Sequence, residues 1–218
     1  VLGLTAAGQP PRDSLAYLQA QEATLTTTTD VALVALAEES LGAHPAALLD
    51  RLQRAATPTG RIGPTVNSTC WSVLALGHSS KQTTRWLLAR QARSGGFSWA
   101  AGGQPDSNDT AAALEALRVA DVHGTPVARA AAFLLGFQNR DGGFELTNGR
   151  GSDAQSTAWA IQGLVAAGRL PPRSAFTYLA GLRRADGSYR YSAKYVTTPV
   201  WVTSQVLAAL ARKPFPLD

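Results

Sequence analysis

The chain has 218 residues, 45% of them hydrophobic and 16% charged, with a net charge of +5; that is enough for one sizeable core and too apolar for a disordered chain. The basic residues are nearly all Arg (Lys81, Lys194 and Lys213 are the lysines) and lie scattered, with no basic run interleaved with aromatics, which argues against a nucleic-acid partner. No apolar run nears the roughly 18 residues of a membrane span, and a lone Cys70 with no Cys/His spacing offers neither an intrachain disulfide nor a metal site.

The chain opens inside a repeat. Residues 2–12 (LGLTAAGQPPR) match 162–173 (QGLVAAGRLPPR), so the first segment reads as the tail of an apolar helix. A first polar-faced helix starts at Leu15, and residues 27–36 (TTTDVALVAL) follow as an apolar one. The alternation then continues through 48–62 and 67–76 (NSTCWSVLAL), 86–97 (WLLARQARSGGF) and 108–117 (NDTAAALEAL), 133–144 (FLLGFQNRDGGF) and 155–164 (QSTAWAIQGL), and finally 178–189 (YLAGLRRADGSY) and 200–209. Turn glycines recur at Gly95, Gly142 and Gly187, spaced by 47 and 45 residues, and a threonine column runs through Thr69, Thr110 and Thr157. Sequence repeats of this period indicate stacked supersecondary units.

In each unit the helix that ends at the Gln carries apolar residues at i, i+3 and i+4 and polar residues elsewhere, so it expects solvent on one side. The glycines are expected to stop it as a C-cap, and Phe97, Phe144 or Tyr189 then re-enters the core. The second helix is small and apolar on nearly every side and expects burial all round. The reading is an all-α fold, an α/α toroid of about five to six helix pairs with apolar helices inside and polar-faced helices outside. Residues 1–218 are expected to form a single toroid domain. Met is absent, even at position 1, which predicts a processed chain or an excerpt of a longer one. Ala richness and Arg in preference to Lys predict a GC-rich bacterial source; the compartment stays open between cytoplasm and secretion or the cell surface.

The motifs Gln91-x3-Gly95-x-Phe97 and Gln138-x3-Gly142-x-Phe144 resemble the repeats of squalene–hopene and oxidosqualene cyclases and of protein prenyltransferase β subunits. That resemblance implies two concentric helical rings with a cavity inside the inner one, and it offers three chemistries to test. Class II terpene cyclases carry a DxDDTA motif whose middle Asp is the acid. The similar segment is Asp106-Ser107-Asn108-Asp109-Thr110-Ala111, with Asn108 at the acid's position. Asp106 and Asp109 remain as candidate acids, although a helix N-terminus is expected to lower a carboxyl pKa. Protein prenyltransferases take zinc ligands from D-x-C-x-x-x-W; Asp153 and Trp159 match, but Gln155 replaces the Cys and no later His follows. Thioester domains need a Cys–Gln bond, for which Cys70 has no motif.

No cofactor or metal is therefore expected. The expected partner is a small-molecule, isoprenoid-like or peptide ligand in the inner ring, held by Asn67, Trp71, Asn108, Asp153, Gln155, Trp159, Tyr195 and Trp201, since ligand sites combine aromatic walls with a few placed polar groups. Two other readings stay open: a terpene-cyclase-type enzyme using Asp106 or Asp109, and a structural module whose outer surface docks a neighbouring domain.

Overall fold

The computed structural model describes residues 1–217. Within them the fold is all-helical: α1 (Leu2–Ala6), α2 (Ser14–Gln21), α3 (Thr28–Ser40), α4 (Ala46–Arg54), α5 (Val66–Leu76), α6 (Lys81–Leu88), α7 (Ser107–Val119), α8 (Thr125–Leu135), α9 (Ala154–Ala166), α10 (Arg173–Gly181) and α11 (Pro199–Ala211). The odd-numbered helices pack each on the next, and α11 packs back on α1, so they form a closed inner ring. The even-numbered helices lie outside it, α4 against both α3 and α5, α8 against both α7 and α9. The count is the one the repeats predict, an inner-helix tail followed by five outer–inner pairs.

The inner helices α3, α5, α7 and α9 start where a side chain takes a free N–H group of the first turn. Asp106 accepts from Asp109 N–H at 2.8 Å, Asp153 from Ser156 N–H at 2.7 Å, and Thr65 forms a capping box with Ser68; each such cap contributes about 1 kcal/mol. Their bodies are small because their neighbours are close. A methyl group added to Gly163 on α9 would stand 2.8 Å from the Ala111 Cα of α7. Ring closure depends on the same device, since a Cβ on Gly3 would stand 2.2 Å from the Ser204 carbonyl oxygen of α11. The outer helices α4, α6, α8 and α10 bury a narrow stripe that includes an i, i+4 pair, Leu48 and Leu52, Thr83 and Leu87, Ala130 and Leu134, Ala175 and Leu179, whereas α2 buries no residue.

The turn between the two helices of a unit differs from the expectation. The outer helices end at Leu88 and Leu135, before the Gln, so the glycines are not helix caps. They sit instead in a tight hairpin, with Gly95, Gly142 and Gly187 all at positive φ, which L-residues adopt only at a cost. The Gln is a latch. Gln91 Nε2 donates to the Gly95 carbonyl at 2.9 Å and to the Pro126 carbonyl of the next outer helix at 2.8 Å. Gln138 does the same with Gly142 O and Ser174 Oγ, both at 2.9 Å. The threonine column has an equally local cause. The N–H groups of Ile62, Phe97, Phe144 and Tyr189 donate to Thr69, Thr110, Thr157 and Thr203 Oγ1 at 2.9–3.1 Å, fixing each inserted side chain to the following inner helix. Phe97 and Phe144 are fully buried, and burying each stabilises by about 1.5–3 kcal/mol.

Candidate functional site

The inner helices run in one direction, so their capped starts share one end of the ring. The sequence-derived candidates fall there into three neighbourhoods rather than one pocket. In the first, Asn67 on α5 donates Nδ2–H to Asp109 Oδ1 on α7 at 2.8 Å, while Asp109 N–H is held by Asp106. Asn108 is half-buried and accepts from Ser107 Oγ. The helix start does not lower the Asp109 carboxyl. Burial first, and then the adjacent Asp106, push it up to about 8, and the Asn67 N–H offsets this only in part. A buried carboxyl beside a second one keeps its proton because desolvation and like charge both disfavour the anion.

The second neighbourhood is aromatic. Trp71 on α5 and Trp159 on α9 belong to helices separated by α7, yet their rings meet edge to face with centroids 5.5 Å apart. Gln205 on α11, its carboxamide oxygen turned toward them, accepts from Trp159 Nε1 and Trp201 Nε1, both at 3.1 Å. From the opposite end Phe215 packs on Trp71, centroids 6.1 Å apart, and Arg118 Nη2 donates to the Phe215 carbonyl at 2.8 Å. The hollow ring implied by the resemblance is thus corrected: rings from several helices meet across the middle. Beside them Glu115 is buried with neither carboxylate oxygen hydrogen-bonded. Burial pushes its pKa up to about 8 against the opposing pull of the Phe215 backbone and Arg118. Cys70 is buried as well, and desolvation drives its thiol pKa upward, which suits a packing residue rather than a nucleophile.

The third neighbourhood is a cleft of about 480 Å³ that includes Arg150, Asp153, Tyr178, Tyr191 and Tyr195 in its wall. Asp153 is buried, and both its oxygens are engaged by Ser156, through N–H at 2.7 Å and Oγ at 2.9 Å. Its pKa is raised by burial, with Ser156, Tyr191 and Arg150 pulling it down. A carboxylate committed to a helix cap, beside an amide at half-buried Gln155, does not fit the zinc centre of a prenyltransferase. Among the described residues no three His, Cys, Asp or Glu side chains are grouped to hold a metal, and no helix is long and apolar enough to cross a membrane.

Open apolar space lies where sequence reasoning did not look. Such space lies between the first turn of α1, the middle of α3 and the start of α11. It forms a cavity of about 570 Å³ walled by Leu2, Leu18, Leu33, Val34 and Trp201, with Ser204 a polar group in its lining. Of the predicted site residues only Trp201 reaches it. Glu115, Gln162 and Gln205 were also missed. Glu115 and Gln162 share one column, five residues after Thr110 and Thr157, and a polar residue recurring inside an apolar helix is a usable signal.

This architecture is the α/α toroid of terpene cyclases and protein prenyltransferases. No protein-family model matches the chain, and no curated protein does. Solved structures similar to it include a type II terpene cyclase from Scytonema in complex with geranylgeranyl dihydroxybenzoate, with a TM-score of 0.69 and 15% identity, covering 97% of this chain and 85% of that one. Another is ent-copalyl diphosphate synthase from Streptomyces platensis, with a TM-score of 0.66 and 19% identity over 96% of this chain. This chain spans 48%, about half, of the length of that synthase. Candida albicans protein geranylgeranyltransferase-I complexed with GGPP gives a TM-score of 0.65 at 14% identity, covering 88% of this chain and 69% of that one. Identities this low carry the fold and leave the function to the site.

Proposed function

We propose that the chain is a toroid domain that binds an apolar, isoprenoid-like small molecule at the inner ring, without the zinc chemistry of prenyltransferases. The observation that carries this reading is the apolar cavity of about 570 Å³ beside α1, within the size range of small-molecule sites. Trp201 supplies an indole wall steadied through its N–H to Gln205, and Ser204 supplies a polar group for an alcohol or headgroup. The similarity in fold to proteins solved with geranylgeranyl compounds supports the same ligand class. The test is a tryptophan-fluorescence titration with geranylgeraniol. Saturable quenching is expected, lost in Trp201→Ala and weakened in Leu33→Asp. No saturable change, or the same curve in both variants, would remove the reading.

A second reading has its own support: Asp109 is buried and keeps its proton up to about 8, so a protonated carboxyl stands within the segment similar to the cyclase acid motif. Incubation with linear polyprenyl substrates would then yield cyclised product whose rate falls as pH rises through about 8, because the protonated carboxyl is the active form. Asp109→Asn would abolish it. Absence of any product at pH 6 ends this alternative.

A further inference from the structure

The repeat places equivalent residues around the ring, and at the start of α9 these positions turn polar. An N–H in the first turn of α5, α7 and α9 donates to the carbonyl two residues past the inserted side chain of the next turn: Asn67 to Trp99 and Ser107 to Leu146, both at 3.1 Å, and Ala154 to Tyr191 at 2.7 Å. The aromatic ring that lies against the hairpin changes in step. Phe133 packs on Gly96, whereas Tyr178 packs on Gly143 and donates its hydroxyl to the Ser152 carbonyl at 2.7 Å. Both phenols, with Tyr195, stand in the wall of the cleft of about 480 Å³, within the roughly 300–1,000 Å³ of small-molecule sites. The loop that brings Tyr195 there is pinned, since Ser192 Oγ accepts from the N–H groups of Lys194 and Tyr195 at 3.3 and 3.2 Å.

Two cations share this wall, Arg150 and Lys194, and neither belongs to an ion pair among the described residues. The two carboxyls beside them are committed differently. Asp153 spends both oxygens on Ser156. Asp141 holds its turn through Oδ1 alone, which accepts from Gly143 N–H at 3.0 Å and from Ser152 Oγ at 2.7 Å. The cleft is thus rich in donors, with one carboxylate oxygen, Asp141 Oδ2, left to accept. A guanidinium grips a carboxylate through two parallel hydrogen bonds, and an ammonium adds a compact charge. A phosphate would set a second negative charge against Asp141, which like-charge repulsion disfavours. A singly charged ligand with hydroxyl groups instead offers Asp141 Oδ2 a donor. Tyr195, 60% exposed, supplies a rigid amphipathic face for the ligand's ring at low entropic cost.

We infer that this cleft binds a sugar acid, a cyclic polyol carrying one carboxylate. The carboxylate lies on Arg150 and Lys194, a hydroxyl donates to Asp141, and the ring face covers Tyr195. The cleft shares no lining residue with the cavity beside Trp201. It is a second site for a second class of ligand, and it stands whether or not the cavity takes an isoprenoid.

Isothermal titration calorimetry with sodium galacturonate tests it. One saturable site per chain is expected, with galactose, which lacks the carboxylate, and inorganic phosphate each at least about tenfold weaker. Arg150→Gln and Lys194→Gln should each weaken galacturonate at least about tenfold, and Tyr195→Ala about fivefold. Asp141→Asn, whose amide oxygen can still accept in the turn, should move the ratio of galacturonate to phosphate affinity toward phosphate. Arg150, Lys194 and Tyr195 are exposed, so these replacements keep the fold, which circular dichroism verifies. Lys81→Gln, at an exposed lysine on α6, should leave binding unchanged, and all five variants should bind geranylgeraniol as the parent does. No saturable heat with galacturonate overturns the inference. So does phosphate binding as tightly as galacturonate, or a loss in Lys81→Gln equal to that in Arg150→Gln.

Discussion

The groove between α7 and α9 and the groove between α11 and α1 are built from the same inner-helix positions and end in opposite states. In the first, α8 covers both inner helices and Gln91 reaches across to its Pro126 carbonyl. In the second, α11 and α1 pack directly on each other through Gly3, while Leu4, Val200 and Gly187 face open space. The difference teaches that a repeat's burial is set by its neighbours and not by its own sequence, the expectation for a stacked array. Closing the ring restores the inner contact at the seam but not the outer one.

Matched substitutions in the two grooves separate their states. The largest difference is expected at the turn glycines. Gly142→Ala meets both positive φ and the Ser174 backbone and should destabilise by about 2–4 kcal/mol. Gly187→Ala meets the φ penalty alone and should cost about 1–2 kcal/mol. Urea denaturation of both variants reads the gap, and equal losses would mean that the filled groove is not what holds Gly142. A smaller contrast is expected in the threonine column. Thr157→Val leaves the buried Phe144 N–H unpaired and should cost about 1–3 kcal/mol. Thr203→Val, on a half-buried helix face, should cost less, because water can reach the Tyr189 N–H more readily.

The sequence carried the repeat because its markers are local necessities. A hairpin needs glycine at positive φ, an inserted aromatic needs its N–H satisfied, and a helix packed on all sides needs Ala and Gly. Where the outer helices end was less legible. Gln91 and Gln138 look like the last turn of a helix, and only the next unit's Pro126 and Ser174 reveal them as latches. The site was legible in composition and not in arrangement. Trp71, Trp159 and Trp201 do converge around the ring interior, but Tyr195 belongs to a separate cleft and Trp99 lies exposed. The Asp109 pKa is raised first by burial and then by Asp106, with Asn67 opposing, and burial of that kind has no sequence marker. The cavity beside α1 forms where α1, α3 and α11 meet, and contact between residues so far apart in the chain has no local sequence marker.

The most direct test of seam against groove is amide hydrogen exchange, resolved helix by helix. Local opening tracks how well an element is covered, so α5, α7 and α9 should exchange slowly and together. The first turns of α11 and all of α1 should exchange markedly faster. Exchange in α11 as slow as in α9 would contradict the account, for an uncovered seam would then protect its helices as well as a covered groove does.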